Sequence, residues 1–476
     1  MNTGDTAWVL TSAALVLLMT PGLAFFYGGM VRAKSVLNML MMSLGSMAVV
    51  GVLWVLFGYS TAFGRDLGGG LLGSPTEFFG LDGLLGRDAA AGTVPSTAFV
   101  AFQAMFAVIT VALISGAVAD RARFGPWLAF AAAWAVLVYF PVAHWVFDLD
   151  GRNAAGAVVD PGGWIANRLL AIDFAGGTAV HVNAGAAGLA LALVLGRRVG
   201  WPREPMKPHN LPLVVLGAGL LWFGWFGFNA GSALAANTTA GVAFVNTLAA
   251  ACAALLTWLL VERVRDGRAT TLGAASGIVA GLVAVTPACH SVTPVGALAV
   301  GGVAGALCAL AVGLKYRWGF DDSLDVVGVH LVGGLTGTLL IGLVASDTAP
   351  AGVNGLFYGG GLDQLWRQAV GALAVLAYSF ALSLALALAV RAVFGFRVDR
   401  EAEIGGVDEA EHAETGYDFG GIRTGGRLAT PTRSGAAPPT APNPTVSSPT
   451  VSHPANPTTN TAAAGDPGAA LEGSKA

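Results

Sequence analysis

Charge is scarce in this sequence. Only 11% of the 476 residues are Asp, Glu, Lys or Arg, against 55% hydrophobic, too few to cover a soluble globular surface of that size. The signs nearly cancel, with 25 basic and 28 acidic residues, so no basic excess argues for a nucleic-acid partner. Cysteine is rarer still. Cys252, Cys289 and Cys308 fall inside or at the ends of apolar runs, without the paired spacing of a disulfide framework or a zinc site, and read as small core residues. No nucleophile, base and orienting group stand together, which leaves an enzyme reading, and a cofactor, without support.

What fills the chain is apolar span and glycine. A window of about 19 residues marks apolar spans at 7–31, 37–63, 96–119, 126–147, 176–196, 211–234, 239–262, 271–288, 292–314, 323–346 and 364–391. The first has the acidic Asp5 before it and continues to Arg32 and Lys34, so it reads as a transmembrane helix, not a signal peptide. Eleven spans predict an all-α integral membrane protein in a lipid bilayer. The 67 glycines suit close helix packing where no hydrophobic force drives association. Lys and Arg cluster after odd-numbered spans, among them Arg121, Arg198, Lys315, Arg391 and Arg397, which predicts an outside N-terminus and a cytoplasmic C-terminus.

The loops 64–95 and 148–175 are Gly- and Asp-rich and read as caps on the outer mouth. Past the membrane domain, 1–398, an acidic stretch opens a tail, 399–428; composition alone allows a partner-binding or a solvated stretch there and favours the solvated one. The Pro, Thr, Ser and Ala-rich end, 429–476, is expected to be disordered.

Two stretches are copies of one pattern. DFAGGTAVH runs from Asp173 to His181 and DSLDVVGVH from Asp322 to His330, with Gly185 and Gly334 each four residues past the histidine. They fall on spans five and ten. Five helices per half, an odd number, must make the halves inverted repeats, with a final helix outside the repeat, and such repeats place their site near the midplane. Ionisable groups in a membrane helix are costly and functional by default. Two facing neutral imidazoles could bind a small polar molecule or relay a proton. A lone histidine could instead satisfy a backbone group, or a pair could ligate haem; the repeated pattern argues for a pore.

Aromatic residues add a second signal. Phe102 and Phe106 lie one turn apart in FVAFQAMF, and WFGWFGFNAGSA carries Trp222, Trp225, Phe228 and Ser232. Desolvated aromatic faces attract cations, although aromatics at helix ends also serve as an interfacial belt.

LAFFYGGMVRAKSVLNML, FQAMFAVITVALISGAVADR, DFAGGTAVHVNAG, KPHNLP, GWFGFNAGSA, FVNT, GLVAVTPAC and DVVGVHLVGG together resemble the ammonium transporter family (Amt/Mep/Rh), on its Amt side, over about residues 7–417. The resemblance implies a homotrimer in the plasma membrane with one pore per subunit, taking up ammonium as ammonia. Phe102, Phe106 and Ser232 would form the outer ammonium site, with Asp173 supporting it. Phe106 and Phe228 look like the stacked gate, His181 and His330 like the twin histidines, and Tyr27, Trp225 and Thr286 like pore-lining residues. AHWVFDLDG departs from the family by placing Phe147 where an outer-site tryptophan is expected, with Trp145 or Trp164 as substitutes. His290 in TPACHS has no role in this scheme. GFRVDREAEIGGVDEAEHAETGYDF resembles the family's docking tail, through which a PII-type signal protein can act. A sensor signalling through that tail is the alternative.

Overall fold

The computed structural model describes residues 1–417 except position 154. The expected disordered extension 429–476, and the end of the tail from 418, lie outside the described residues. Among the described residues ten helices are long and apolar enough to cross a bilayer: α1 (Thr3–Met30), α2 (Ala33–Phe63), α3 (Ser96–Val118), α4 (Phe124–Phe147), α5 (Gly177–Leu195), α6 (Leu211–Gly231), α7 (Thr238–Asp266), α9 (Pro294–Trp318), α10 (Val327–Val344) and α11 (Asp363–Phe394). Between α7 and α9 lies α8 (Thr271–Val285), apolar but only 15 residues long. The span expected over 271–288 is thus shorter as a helix. Pro287 has no N–H to give the Val283 carbonyl, so the helical ladder stops there.

Glycines set the packing. A Cβ on Gly217 of α6 would stand 2.3 Å from the Phe26 nitrogen of α1, and one on Gly224 2.3 Å from the Met19 side chain. On α9, Gly301 and Gly305 lie so close to the Ala250 and Ala254 carbonyls of α7 that added carbons would come within 2.1 and 2.4 Å. Backbones approach in this way only where a side chain is missing, and the gain is dispersion contact between the helices. Larger apolar residues such as Leu256, Leu260 and Leu373 face outward, as lipid contact requires. Cys289 and Cys308 are buried, but Cys252 on α7 is exposed. That corrects the expectation of three core cysteines: small size permits burial without dictating which face of a uniformly apolar helix turns inward.

One end of the bundle is fastened by buried charge. Arg198 reaches Asp120 at 3.0 Å and Asp321 at 2.9 Å, and Arg32 lies 3.5 Å from Asp120. Arg121, fully buried, donates to the Asp321 carbonyl at 2.6 Å. Burial alone would push the Asp321 carboxyl up; Arg198 and Arg121 hold it below its ordinary value. Residues following α1, α3 and α5 are thereby tied to the approach to α10.

The tail docks on this same end. Two short helices follow α11, α12 (Arg400–Gly405) and α13 (Val407–His412). Asp408 accepts from the Leu37 and Asn38 nitrogens at 3.0 and 2.8 Å, near the start of α2, and Glu411 accepts from the Phe124 nitrogen at 2.9 Å, the start of α4. Glu403, buried, accepts from the Val199 nitrogen at 2.6 Å and pairs with Arg397 at 2.6 Å. Carboxylates at helix N-termini satisfy free N–H groups and complement the helix dipole. Asp408 and Glu411 thus cap bundle helices and Glu403 is buried in an ion pair, while Glu401, Glu409 and Glu414 stay exposed, so the solvated reading that composition favoured holds for only part of the stretch.

At the opposite end the two long loops are stitched together. Trp145 donates to the Leu71 carbonyl at 2.7 Å and the Trp164 nitrogen to the Gly70 carbonyl at 3.1 Å. Two short ribbons, β1 (Ala90–Ala91) with β2 (Val94–Pro95) and β3 (Gly151–Arg152) with β4 (Val158–Asp160), complete this layer.

Candidate pore and outer mouth

The repeated Asp-to-His pattern builds two matching helix starts. Asp173 accepts hydrogen bonds from the nitrogens of Gly176, Gly177, Thr178 and Ala179, and from the Thr178 hydroxyl. Asp322 accepts from Val326 and Val327 at 3.1 and 2.7 Å. Each carboxylate satisfies the free N–H groups of its helix. Each helix then opens with a widened π turn, Gly177–Val182 and Val327–Leu331, and each π turn carries the histidine. Both rings are buried, and His181 Nδ1 lies 3.3 Å from His330 Nδ1.

The two glycines that follow explain the approach. A Cβ on Gly185 would stand 2.5 Å from the Leu331 nitrogen, beside His330. One on Gly334 would be 3.1 Å from the His181 Cβ. Each half thus supplies the gap into which the other half's histidine segment fits. The close facing nitrogens also set haem aside: two axial nitrogens need about 4 Å between them with a metal in the middle. Among the described residues no group of three or more His, Cys, Asp or Glu could hold a metal ion.

Around the imidazoles the walls are aromatic and aliphatic. Trp225 stacks near His181 with centroids 5.5 Å apart, and its Nε1 donates to Thr286 Oγ1 at 2.8 Å. Phe228 lies 6.2 Å from His181 and stacks on Phe106 at 4.1 Å and 22°. A cavity of about 10 Å³ is lined by His181, His330, Trp225, Phe228, Leu113 and Val180, among others, room for a single water-sized molecule. Tyr27 donates to the Leu113 carbonyl at 3.1 Å. Seven residues separate Leu113 from Phe106 on α3, about 10 Å along the axis, so Tyr27 lies away from the Phe106 end.

Beyond Phe106 the mouth is also aromatic. Phe102 lies 4.9 Å from Phe106 and Phe147 6.2 Å from it, both edge-on. Ser232 donates to the Phe228 carbonyl at 2.9 Å. Trp164 is not brought to this group. Its ring neighbour is Trp145 at 5.9 Å, and Trp145 lies 4.6 Å from Tyr378. Asp173 spends its hydrogen bonds on the start of its own helix. His290 stacks on Phe174 at 4.1 Å and 14°.

One cluster escaped the sequence reading. His144, fully buried, has Nδ1 3.0 Å from the Ala62 carbonyl and 3.3 Å from Asp148, with Asp66 3.5 Å from Nε2. Burial, with Asp160 and Asp66 nearby, pushes Asp148 up to about 8. The four-residue spacing of His144 and Asp148 was the available signal; Asp66, in a distant loop, gave none.

A family model described as Ammonium Transporter Family matches residues 7–417. An ammonium transporter of Mycobacterium tuberculosis (strain H37Rv) is 65% identical over 87% of this chain and 90% of its own length. One of Corynebacterium glutamicum is 43% identical over 91% and 94%. Among solved structures, Saccharomyces cerevisiae Mep2 superposes with a TM-score of 0.76 at 36% identity, covering 84% of this chain and 88% of that one. A structure titled "Sensor Amt Protein" gives 0.78 at 31% identity, covering 86% and 98%.

Proposed function

From the membership of this chain in the Ammonium Transporter Family, a family of transporters and not of enzymes, we propose that it takes up ammonium across the plasma membrane through a twin-histidine pore. Phe102, Phe106, Phe147 and Ser232 receive the cation at the mouth, where ring quadrupoles replace part of its lost hydration. Asp173 supports this region from behind by fixing the start of α5. Trp145 and Trp164 hold the outer loops together and stay out of the cation site.

Ammonium gives up its proton before or at the Phe106–Phe228 gate. A bare cation entering a narrow apolar tube would bear a desolvation cost of several kcal/mol or more, and neutral ammonia far less. Potassium has no proton to lose and is excluded on the same ground. Below the gate His181 and His330 accept from and donate to ammonia, and relay the proton separately. Trp225 and Thr286 wall this section, and Tyr27 lies further along it. In this reading α8 and the turn after it form the eleventh crossing, the halves α1–α5 and α6–α10 are inverted repeats, the N-terminus is outside, three copies assemble, and the docked tail is the surface on which a PII-type protein acts.

The observation that carries the reading is the His181–His330 pair, 3.3 Å apart beneath a stacked phenylalanine gate. Uptake of ammonium into vesicles by His181→Ala tests it. Selective flux should be lost, and full flux with unchanged selectivity would sink the proposed role. The sensor alternative draws on the docked tail, whose Asp408 and Glu411 touch the starts of α2 and α4; a sensor would bind ammonium while carrying little of it.

A further inference from the structure

His144, near the end of α4, is surrounded by groups that accept hydrogen bonds. Its Nδ1 lies 3.0 Å from the Ala62 carbonyl and 3.3 Å from Asp148 Oδ2. Its Nε2 is buried, has no hydrogen-bond partner among the described residues, and stands 3.5 Å from Asp66 Oδ1, within ion-pair reach. Asp66 is a carboxylate: burial would raise it, but the Gly68 and Gly70 N–H groups and His144 hold it below its ordinary value. A neutral imidazole carries one hydrogen and one lone pair, so its bare nitrogen would turn that lone pair on an oxygen with no hydrogen to offer. The cluster closes only with a second proton, on the ring or shared with Asp148. No side-chain cation stands in for it. Of the four arginines in the two outer loops, Arg65, Arg87, Arg152 and Arg168, only Arg152 forms an ion pair among the described residues, and its partner is Asp150. Asp150, Asp160 and Glu77 add negative charge around Asp148, and Tyr59 of α2 is a further titratable group that feels it.

We propose that this second proton is a clasp: it joins the loop after α2, through Asp66, to the end of α4, holds Phe147 at the mouth, and makes the capture of ammonium depend on outside pH. This role depends on the reading that places Phe147 in the cation site. Phe147 lies between His144 and Asp148 in the chain, and its ring is 6.2 Å from Phe106. The Asp148 carbonyl also accepts from the Gly163 nitrogen and the Asn167 side chain, so the second outer loop hangs on the same residue. Without the proton, two carboxylates and a lone pair face each other where the loops meet. A proton held more firmly in the closed clasp than in the open one stabilises the closed form at low pH, and that stability is lost as pH rises. Asp148, pushed up to about 8 by burial and by Asp160 and Asp66, sets the range in which the loss occurs.

Two readouts on the full-length protein test this. In detergent, the Gly68, Gly70 and Trp164 amide hydrogens, bonded to Asp66 and to the Gly70 carbonyl, are followed by hydrogen–deuterium exchange from about pH 6 to about pH 9, corrected for the intrinsic rate. In liposomes, flux is measured against ammonium-ion concentration over the same range. Exchange should quicken in one step as pH rises. The half-saturating concentration should rise with it about two- to fivefold, what one exposed aromatic cation face contributes. His144→Asn, which cannot hold the proton, should show neither step. Asp148→Asn removes one of the two carboxylates that steady it and should move both steps to lower pH. No exchange step in the native chain, or a step at the native pH in either variant, would overturn the clasp. An exchange step that His144→Asn loses, beside a half-saturating concentration that stays flat in the native chain, would overturn the link to the mouth and with it the place of Phe147 in the cation site. Absence of ammonium flux at every pH would overturn the transport reading, and exchange would still decide the clasp. If His144→Asn does not fold, the less buried Asp148→Asn decides it.

Discussion

His181 and His330, 149 positions apart in the chain, face each other Nδ1 to Nδ1 at 3.3 Å. Two lone pairs cannot face one another at that distance, so one nitrogen carries the hydrogen and the other accepts it. The pair thus holds one shared proton and presents two different outer nitrogens to whatever enters. That asymmetry suits a path that must accept a proton from one molecule and return it elsewhere.

The spacing of this pair depends on two missing side chains. Gly185→Ala would put a methyl 2.5 Å from the Leu331 nitrogen, a backbone atom that cannot swing aside. Overpacking of this sort costs roughly 1–3 kcal/mol, and here it should also push α5 and α10 apart. The variant is expected to melt lower in detergent and to transport ammonium poorly. An unchanged melting temperature with full flux would show that the contact has more give than the geometry implies.

In the proposed reading Phe147 belongs to the cation site at the mouth, where a phenyl ring is a weaker cation face than an indole. Phe147→Trp should lower the ammonium concentration for half-maximal flux several-fold, since indole is the best of the aromatic cation faces and the difference is of the order of 1 kcal/mol. Measured flux against ammonium concentration checks this. No change, or weaker apparent binding, would place the outer site away from residue 147.

Asp408 and Glu411 cap helices of the bundle, so loss of these contacts should free the tail without unfolding the bundle. Asp408→Ala removes the acceptor for the Leu37 and Asn38 nitrogens, worth about 1–2 kcal/mol. Trypsin should then cut near Arg397 and Arg400 faster than in the native chain. Cleavage at the native rate would mean that Glu403 and Glu411 hold the tail alone.

The histidine pair was legible in the sequence because chemistry and spacing coincide in it: each Asp is a helix cap and each His lies a fixed distance beyond. Ten of the eleven apolar spans were equally plain, since a bilayer demands length and apolarity together, whereas the span at 271–288 is a helix of only 15 residues. Other features depend on contacts between distant residues. The reciprocal fit of Gly185 and Gly334 needs both helices placed before either glycine has meaning. The acids of the tail look like any solvated charged stretch until the N–H groups that they cap are brought near. Cys252 could be assigned to neither face, because α7 is apolar all round. His144 met Asp66 only through the folding of a long loop.

The central claim is that ammonium crosses through the histidine pair, with its proton carried apart from ammonia. The most direct test is the current recorded from liposomes holding purified protein after an ammonium jump, beside a His181→Ala, His330→Ala double variant at equal incorporation. The account expects a saturable current with ammonium, none with potassium, and none in the double variant. An ammonium-selective current that persists undiminished in the double variant would contradict it.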